Sequence, residues 1–107
     1  MTTYANTSYV AKNVGTASST LTTVSSGTVA IASFIVTNTT VSPITTNVFI
    51  TRSAVDYYLV YQATVPVGGS LEVIQGSRVV LIASDILKVV ASAASSADCV
   101  VSVLTAV

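Results

Sequence analysis

Apolar and polar residues alternate along most of this chain with a period of two, in short runs closed by Gly, Pro, Asn, Asp or Ser. Val, Ile, Thr and Tyr dominate the runs, and these side chains fit a pleated, half-buried strand. No apolar series keeps a 3.6-residue period for long, so helices are not expected. The pattern predicts eight or nine short strands. An extended segment runs over Thr3–Val14 and ends at Gly15. Strands follow at Ser19–Val24, stopped by Ser26-Gly27, and at Thr28–Asn38. In the latter, Val29, Ile31 and Ile35 are expected on one face and Ala30, Ala32, Phe34 and Val36 on the other. "TVSPIT" turns the chain at Pro43, and Thr45–Arg52 forms the next strand. "SAVD" links it to Tyr57–Thr64 as a hairpin. Leu71–Ile74, Arg78–Ala83, Ile86–Ala93 and Cys99–Val107 complete the set, separated by turns at Gln75-Gly76-Ser77, Ser84-Asp85 and "ASSAD".

Turn signals every 8–12 residues or so mark a sandwich or barrel. No helix-length segment exists to carry parallel crossovers, so the expected fold is an all-β antiparallel β-sandwich, jelly-roll or immunoglobulin-like. A chain of 107 residues suits one domain, spanning 1–107. Residues 1–15 could form an N-terminal arm. "VPVGGSLEV" (Val65–Val73) contains a Gly pair that could cradle a ligand. A phosphate cradle needs a following helix N-terminus or a basic residue, and Leu71-Glu72-Val73 supplies neither, so this stretch reads as a corner between strands.

Several strands are apolar on both faces: "YYLVY" (Tyr57–Tyr61), "VVLI" (Val79–Ile82) and "VVSVL" (Val100–Leu104). An antiparallel sheet ordinarily shows one face to water. Two-sided strands imply that a second face is covered, in so short a chain by another subunit. Composition strengthens this. Hydrophobic residues make up 51% and charged residues 7%, and four basic residues cancel four acidic ones. The polar positions are mainly Ser and Thr. A chain of near-zero net charge tends to associate, and strand edges with so few charges are poorly protected against pairing. Tyr4, Tyr9 and Val10 are the expected anchors of the N-terminal segment on a neighbour. Tyr57, Tyr58 and Tyr61 are the candidates on the central hairpin, with Tyr57 and Tyr61 on one face and Tyr58 on the other.

Charge and chemistry exclude other classes. Lys12, Arg52, Arg78 and Lys88 are scattered, so no basic patch for nucleic acid exists. The longest apolar run, "VAIASFIV", is too short to span a membrane as a helix, and the first residues lack the pattern of a secretory signal. The chain has no histidine, which removes the commonest general base and metal ligand. Asp56, Asp85 and Asp98 fall at expected turns, and with Glu72 they show no spacing for paired-carboxylate catalysis or calcium. Phosphate-loop, dinucleotide and nucleophile-elbow motifs are missing. The expectation is a non-enzyme without cofactor or metal. Cys99 stands alone, which excludes an internal disulfide, and it reads as a buried small hydrophobe.

"FIVTNTTVSPITTNVFI" (Phe34–Ile50) and "VPVGGSLEVIQGSRVVLIASDILKVVASAASSADCVVSVL" (Val65–Leu104) resemble small β-sandwich virion proteins of tailed bacteriophages. The shared features are a Thr-Asn-Thr-like turn after a strand, a Pro-x-Gly-Gly-like turn before "Leu-Glu", a "Leu-x-Ala-x-Asp" turn, and a closing Val/Ser-rich strand. They cover roughly the last two-thirds of the chain. The resemblance implies a virion structural protein in many copies: capsid decoration (cement) first, neck or tail component second. Partners would be copies of itself and other virion proteins, the major capsid protein above all. An alternative is a host-recognition module of a fibre that binds a glycan through Arg52, Asp56, Tyr57 and Tyr58.

Overall fold

The computed structural model describes residues 4–25, 27–74 and 79–106. It is all-β. Nine strands are present among the described residues: β1 (Tyr4–Val14), β2 (Ser19–Thr23), β3 (Thr28–Asn38), β4 (Ile44–Arg52), β5 (Val55–Val65), β6 (Ser70–Glu72), β7 (Val79–Ile82), β8 (Ile86–Ala91) and β9 (Ala97–Ala106). The expected turn at Gln75-Gly76-Ser77 and the expected strand start at Arg78 lie outside the described residues.

One sheet has the order β1-β9-β3-β6, with β7 also paired to β3; the other has the order β2-β8-β4-β5. All pairs are antiparallel. β6 takes the Ile35–Thr37 half of β3 and β7 the Thr28–Ile31 half, so together they occupy one strand position. The chain is then a long hairpin wrapped on itself: β4 pairs β5, β3 pairs β6 and β7, β2 pairs β8, and β1 pairs β9. That nesting over two facing sheets is the jelly roll, which decides between the two sandwich topologies the turn spacing left open.

The core fills the space between the sheets. Ile31, Phe34 and Val36 of β3, Val101 and Val103 of β9, Val48 of β4, and Leu87 and Val89 of β8 are fully or almost fully buried. Burying each of the larger side chains stabilises the fold by roughly 1.5–3 kcal/mol against exposure.

Two bulges alter which side chains reach this core. In β3 the pairing with β9 shifts between Ile31 and Ser33, with Ala32 as the extra residue. The alternation reverses there, because one inserted residue swaps faces. Phe34 and Val36 therefore join Val29 and Ile31 inside, while Ile35 faces outward and is exposed. This corrects the face assignment from strict alternation, which grouped Ile35 with Val29. In β5 the partners of Val48 and Phe49 are Val60 and Tyr58, so Leu59 is extra, and a second shift follows between Thr46 and Val48. Gln62 there has φ 51°, and its N–H is capped by the Asn47 side chain.

The ends of the sandwich are tied differently. At one end neutral hydrogen bonds knit the turns. Asn38, almost fully buried, donates from Nδ2 to the carbonyls of Ser42 (2.8 Å) and Val65 (3.1 Å), and its Oδ1 accepts the Thr40 N–H (2.9 Å). Its own N–H donates to the Gly69 carbonyl at 3.0 Å, and the Thr39 N–H to Ser96 at 2.9 Å. The "VPVGG" turn closes with the Gly69 N–H donating to Pro66 O at 3.0 Å. Gly68 has φ 66°, and a Cβ on Gly69 would sit 2.8 Å from Pro66 Cγ. The pair thus serves the turn, as a corner between β5 and β6. At the other end an ion pair does the work: Arg52 Nε and Nη2 donate to Asp85 Oδ1 (2.8 Å) and Oδ2 (2.6 Å).

Residues 4–14, expected as an arm, form the edge strand of the domain's own sheet. Tyr4 to Ala11 pair one for one with Ala106 to Cys99. Asp98 fastens the far end by accepting the Asn13 N–H (3.0 Å) and pairing with Lys12 at 3.4 Å.

Candidate functional site

Two outward surfaces carry the features that sequence singled out. The first is the outer face of the β1-β9-β3-β6 sheet. Register aligns Val10, Val100 and Ile35 in a row across three strands, with Glu72 of β6 next in line. These three apolar side chains are 72%, 46% and 40% exposed. A parallel row of Ser8, Ser102 and Ser33 follows, then Leu104, Ala30 and Val80. Exposed Ile82 extends the patch. Beside the bulged Ala32, the small serine row leaves a shallow recess of about 280 Å³ lined by Asn6, Ser8, Ala32 and Ser102 among others. The face is thus two apolar ridges with a hydroxyl groove between them.

The second surface is the β4–β5 hairpin. Its strands meet in a two-residue turn at Ser53-Ala54, both with positive φ (53° and 63°). Strict alternation separates Tyr58 from Tyr61. The Leu59 bulge instead puts both on the outer side, where their rings meet edge to face with centroids 4.9 Å apart, and Tyr58 leans on Phe49 at 5.2 Å. Phe49 lies outside the central cluster and is covered from this side. Tyr57, opposite Ile50, lies on the inner side. There it lines a recess of about 330 Å³ with Ile50 and Arg52. All three tyrosines remain about half exposed.

The set Arg52, Asp56, Tyr57 and Tyr58 therefore does not converge. Arg52 and Tyr57 share the inner recess. Asp56 faces outward with Tyr58 and accepts a hydrogen bond from the Thr51 hydroxyl at 2.7 Å. In the N-terminal segment, Val10 is on the outer face and strongly exposed, whereas Tyr9 packs against the core. Tyr4 begins β1 opposite Ala106; its side chain lies outside the described part.

Electrostatics are sparse. The Arg52 hydrogen bonds, ahead of the opposing cost of burial, hold the Asp85 carboxyl below the usual carboxylate range and raise Arg52 in turn. The Asn13 N–H, and after it Lys12, does the same for Asp98. Burial pushes the Cys99 thiol up to about 12, with the Asp98 charge adding to it, so this thiol is not a nucleophile at neutral pH. Among the described residues no group of three or more His, Cys, Asp or Glu side chains could hold a metal ion. Sequence reasoning missed the Arg52–Asp85 pair and the buried Asn38. The first joins residues 33 apart and leaves no local signal. The second was visible as the Asn of the Thr-Asn-Thr turn, without its role.

Fold and surface together define a jelly-roll domain with one unusually apolar outer face. No protein-family model and no curated protein matches the chain. Among solved structures, the chain is similar to a subunit of Bacillus endospore appendages, described as a novel family of disulfide-linked pili. The TM-score is 0.61 at 14% identity, over 100% of this chain and 91% of that one. This likeness concerns the fold.

Proposed function

We propose that the protein is a structural subunit that works by assembling with copies of itself and with other proteins of a particle. The observation that carries this is the exposed Val10–Val100–Ile35 row, with Val80 and Ile82 beyond the serine row, on a sheet face where Glu72 ends the apolar row and the Lys12–Asp98 pair flanks it. Exposed apolar ridges bordered by hydroxyls in this way are the kind of surface that proteins bury against partners. Covering it removes apolar area from water at roughly 25 cal/mol per Å², and repetition over many copies adds avidity. The resemblance of Phe34–Ile50 and Val65–Leu104 to phage virion proteins favours a capsid decoration protein, then a neck or tail component.

A second reading, a subunit of an extracellular filament, is favoured by the similarity to an appendage protein. Disulfide linkage does not carry over to this chain, whose one cysteine is buried. The glycan-binding alternative keeps only the Arg52–Tyr57 recess, since Tyr58 and Asp56 point away from it.

The test is the state of the purified chain by light scattering and negative-stain microscopy, with I35D/V100D beside it. Oligomers or polymers that dissolve into folded monomers on double substitution support the reading. A native chain that stays monomeric at about 200 μM, and that is absent from isolated particles, overturns it.

A further inference from the structure

The sandwich has four edges: β1 and β6/β7 in one sheet, β2 and β5 in the other. An unpaired edge is a template for another strand unless something blunts it. β5 is blunted by two register shifts, including the Leu59 bulge and the positive-φ Gln62. β2 has five residues and a shift between Thr20 and Thr22. The described β6 and β7 have three and four residues. β1 differs. From Tyr4 to Ala11 it pairs with β9 residue for residue, without shift, proline or glycine, and its first charge is Lys12, beyond that stretch. The strand beneath it, β2, holds only Ser, Thr and Leu. From Tyr4 to Ala11, and along β2, the flank carries no charge, so no like charges meet when that stretch faces an identical one.

We propose that β1 pairs antiparallel with β1 of a second copy across a two-fold axis at Thr7, joining the two β1-β9-β3 sheets into one. This rests on the self-assembly reading above and specifies one of its contacts. The register follows from two constraints. Directly opposed residues must lie on the same face, so their numbers must sum to an even value. Sums of 14 and 16 both pair seven residues within Tyr4–Ala11. A sum of 14 sets Val10 opposite Tyr4, Tyr9 opposite Ala5, Asn6 opposite Ser8, and Thr7 opposite Thr7. A sum of 16 sets Val10 against Asn6 and Tyr9 against Thr7. The first keeps apolar with apolar and polar with polar, which cross-strand pairing favours. The contact is isologous and closes after two copies. Larger assembly then needs another surface, and the apolar sheet face remains free to supply it.

Single cysteines test this directly, because the native Cys99 is buried and unreactive. T7C, S8C, T20C on β2 and T64C on β5 are each oxidised under air with oxidised glutathione and run on a non-reducing gel. T7C is expected to form the covalent dimer first and most completely, and T7K to give a monomer or a smaller oligomer with an unchanged far-UV CD spectrum. Faster cross-linking of S8C overturns the Thr7 axis in favour of the register with a sum of 16, whereas faster cross-linking of T64C, or T7K retaining the native oligomer, overturns the β1 contact itself; each leaves self-assembly standing. A native chain that is monomeric at about 200 μM overturns both.

Discussion

Replacing Asn38 by Asp changes one amide nitrogen into an oxygen, yet the structure makes it a severe substitution. Nδ2 donates to the Ser42 carbonyl at 2.8 Å and the Val65 carbonyl at 3.1 Å. A carboxylate would set an acceptor against both. Losing two hydrogen bonds at about 1 kcal/mol each, and leaving two carbonyls unpaired beside a buried charge, gives a loss of about 3–5 kcal/mol at pH 7. That is a large part of the roughly 5–15 kcal/mol holding a domain of ordinary stability. Asn38→Ala loses the same donors without adding charge, and about 2–3 kcal/mol is expected. The two variants separate by pH. Burial beside carbonyls raises the introduced carboxyl above its unfolded value of about 3.9. The folded state then binds the extra proton, so N38D stability falls as pH rises through that window and levels off once the folded form ionises. N38A lacks this contribution, and the native carboxylates cancel between the two. Urea unfolding followed by far-UV CD, at one low protein concentration, from pH 3.5 to 7.5 measures it. A constant gap between N38D and N38A, or N38D within about 1 kcal/mol of the native chain at pH 7, would refute the reasoning.

Thr46 is 1% exposed, and its hydroxyl finds no hydrogen-bond partner among the described residues. Thr46→Val should be neutral or stabilising by up to about 1 kcal/mol in the same assay, and a loss above 1 kcal/mol would point to an unseen partner. Ser53 and Ala54 both hold positive φ in a turn that favours Asn-Gly. The S53N/A54G variant should gain about 1 kcal/mol and melt roughly 4–8 °C higher, and an unchanged melting temperature would show the turn to be unstrained. Asp85 and Asp98 have lowered pKa values, so the stability they contribute is present above about pH 3.8 and is lost as pH falls through their folded values. Asp85→Asn should flatten the acid limb of the stability curve, and an acid limb as steep as that of the native chain would assign it elsewhere.

How much of this was legible in the sequence depends on whether the information was local. Turn chemistry is local: "SPIT", "VPVGG" and "ASD" each end a strand as read, and the period-two pattern gave the sandwich. Nesting of strand pairs is a long-range property, so jelly-roll order could not be separated from an immunoglobulin-like one. The two bulges defeated face assignment. Ala32 moves Phe34 inward and Ile35 outward, and Leu59 brings Tyr58 and Tyr61 together. Nothing in "IASFI" or "YYLVY" announces an extra residue, because the partner strand decides where the ladder slips. The hydrogen-bonded end around Asn38 shows the reverse case: the turn is readable, but the carbonyls it serves arrive from residue 65, far along the chain. Val10 was anticipated as an anchor and is exposed on the outer face, whereas Tyr9 is packed against the core.

The apolar character of the Val10–Val100–Ile35 row has a thermodynamic corollary. A contact made through the apolar row itself would depend on ionic strength only through Glu72 and the Lys12–Asp98 pair at its margin. Its driving force is apolar hydration, which weakens on cooling. If the proposed assembly is built through this face, it would loosen in the cold and tighten in sulfate, so ice-cold handling of the purified protein would act as a dissociation step and gentle warming as the trigger for growth.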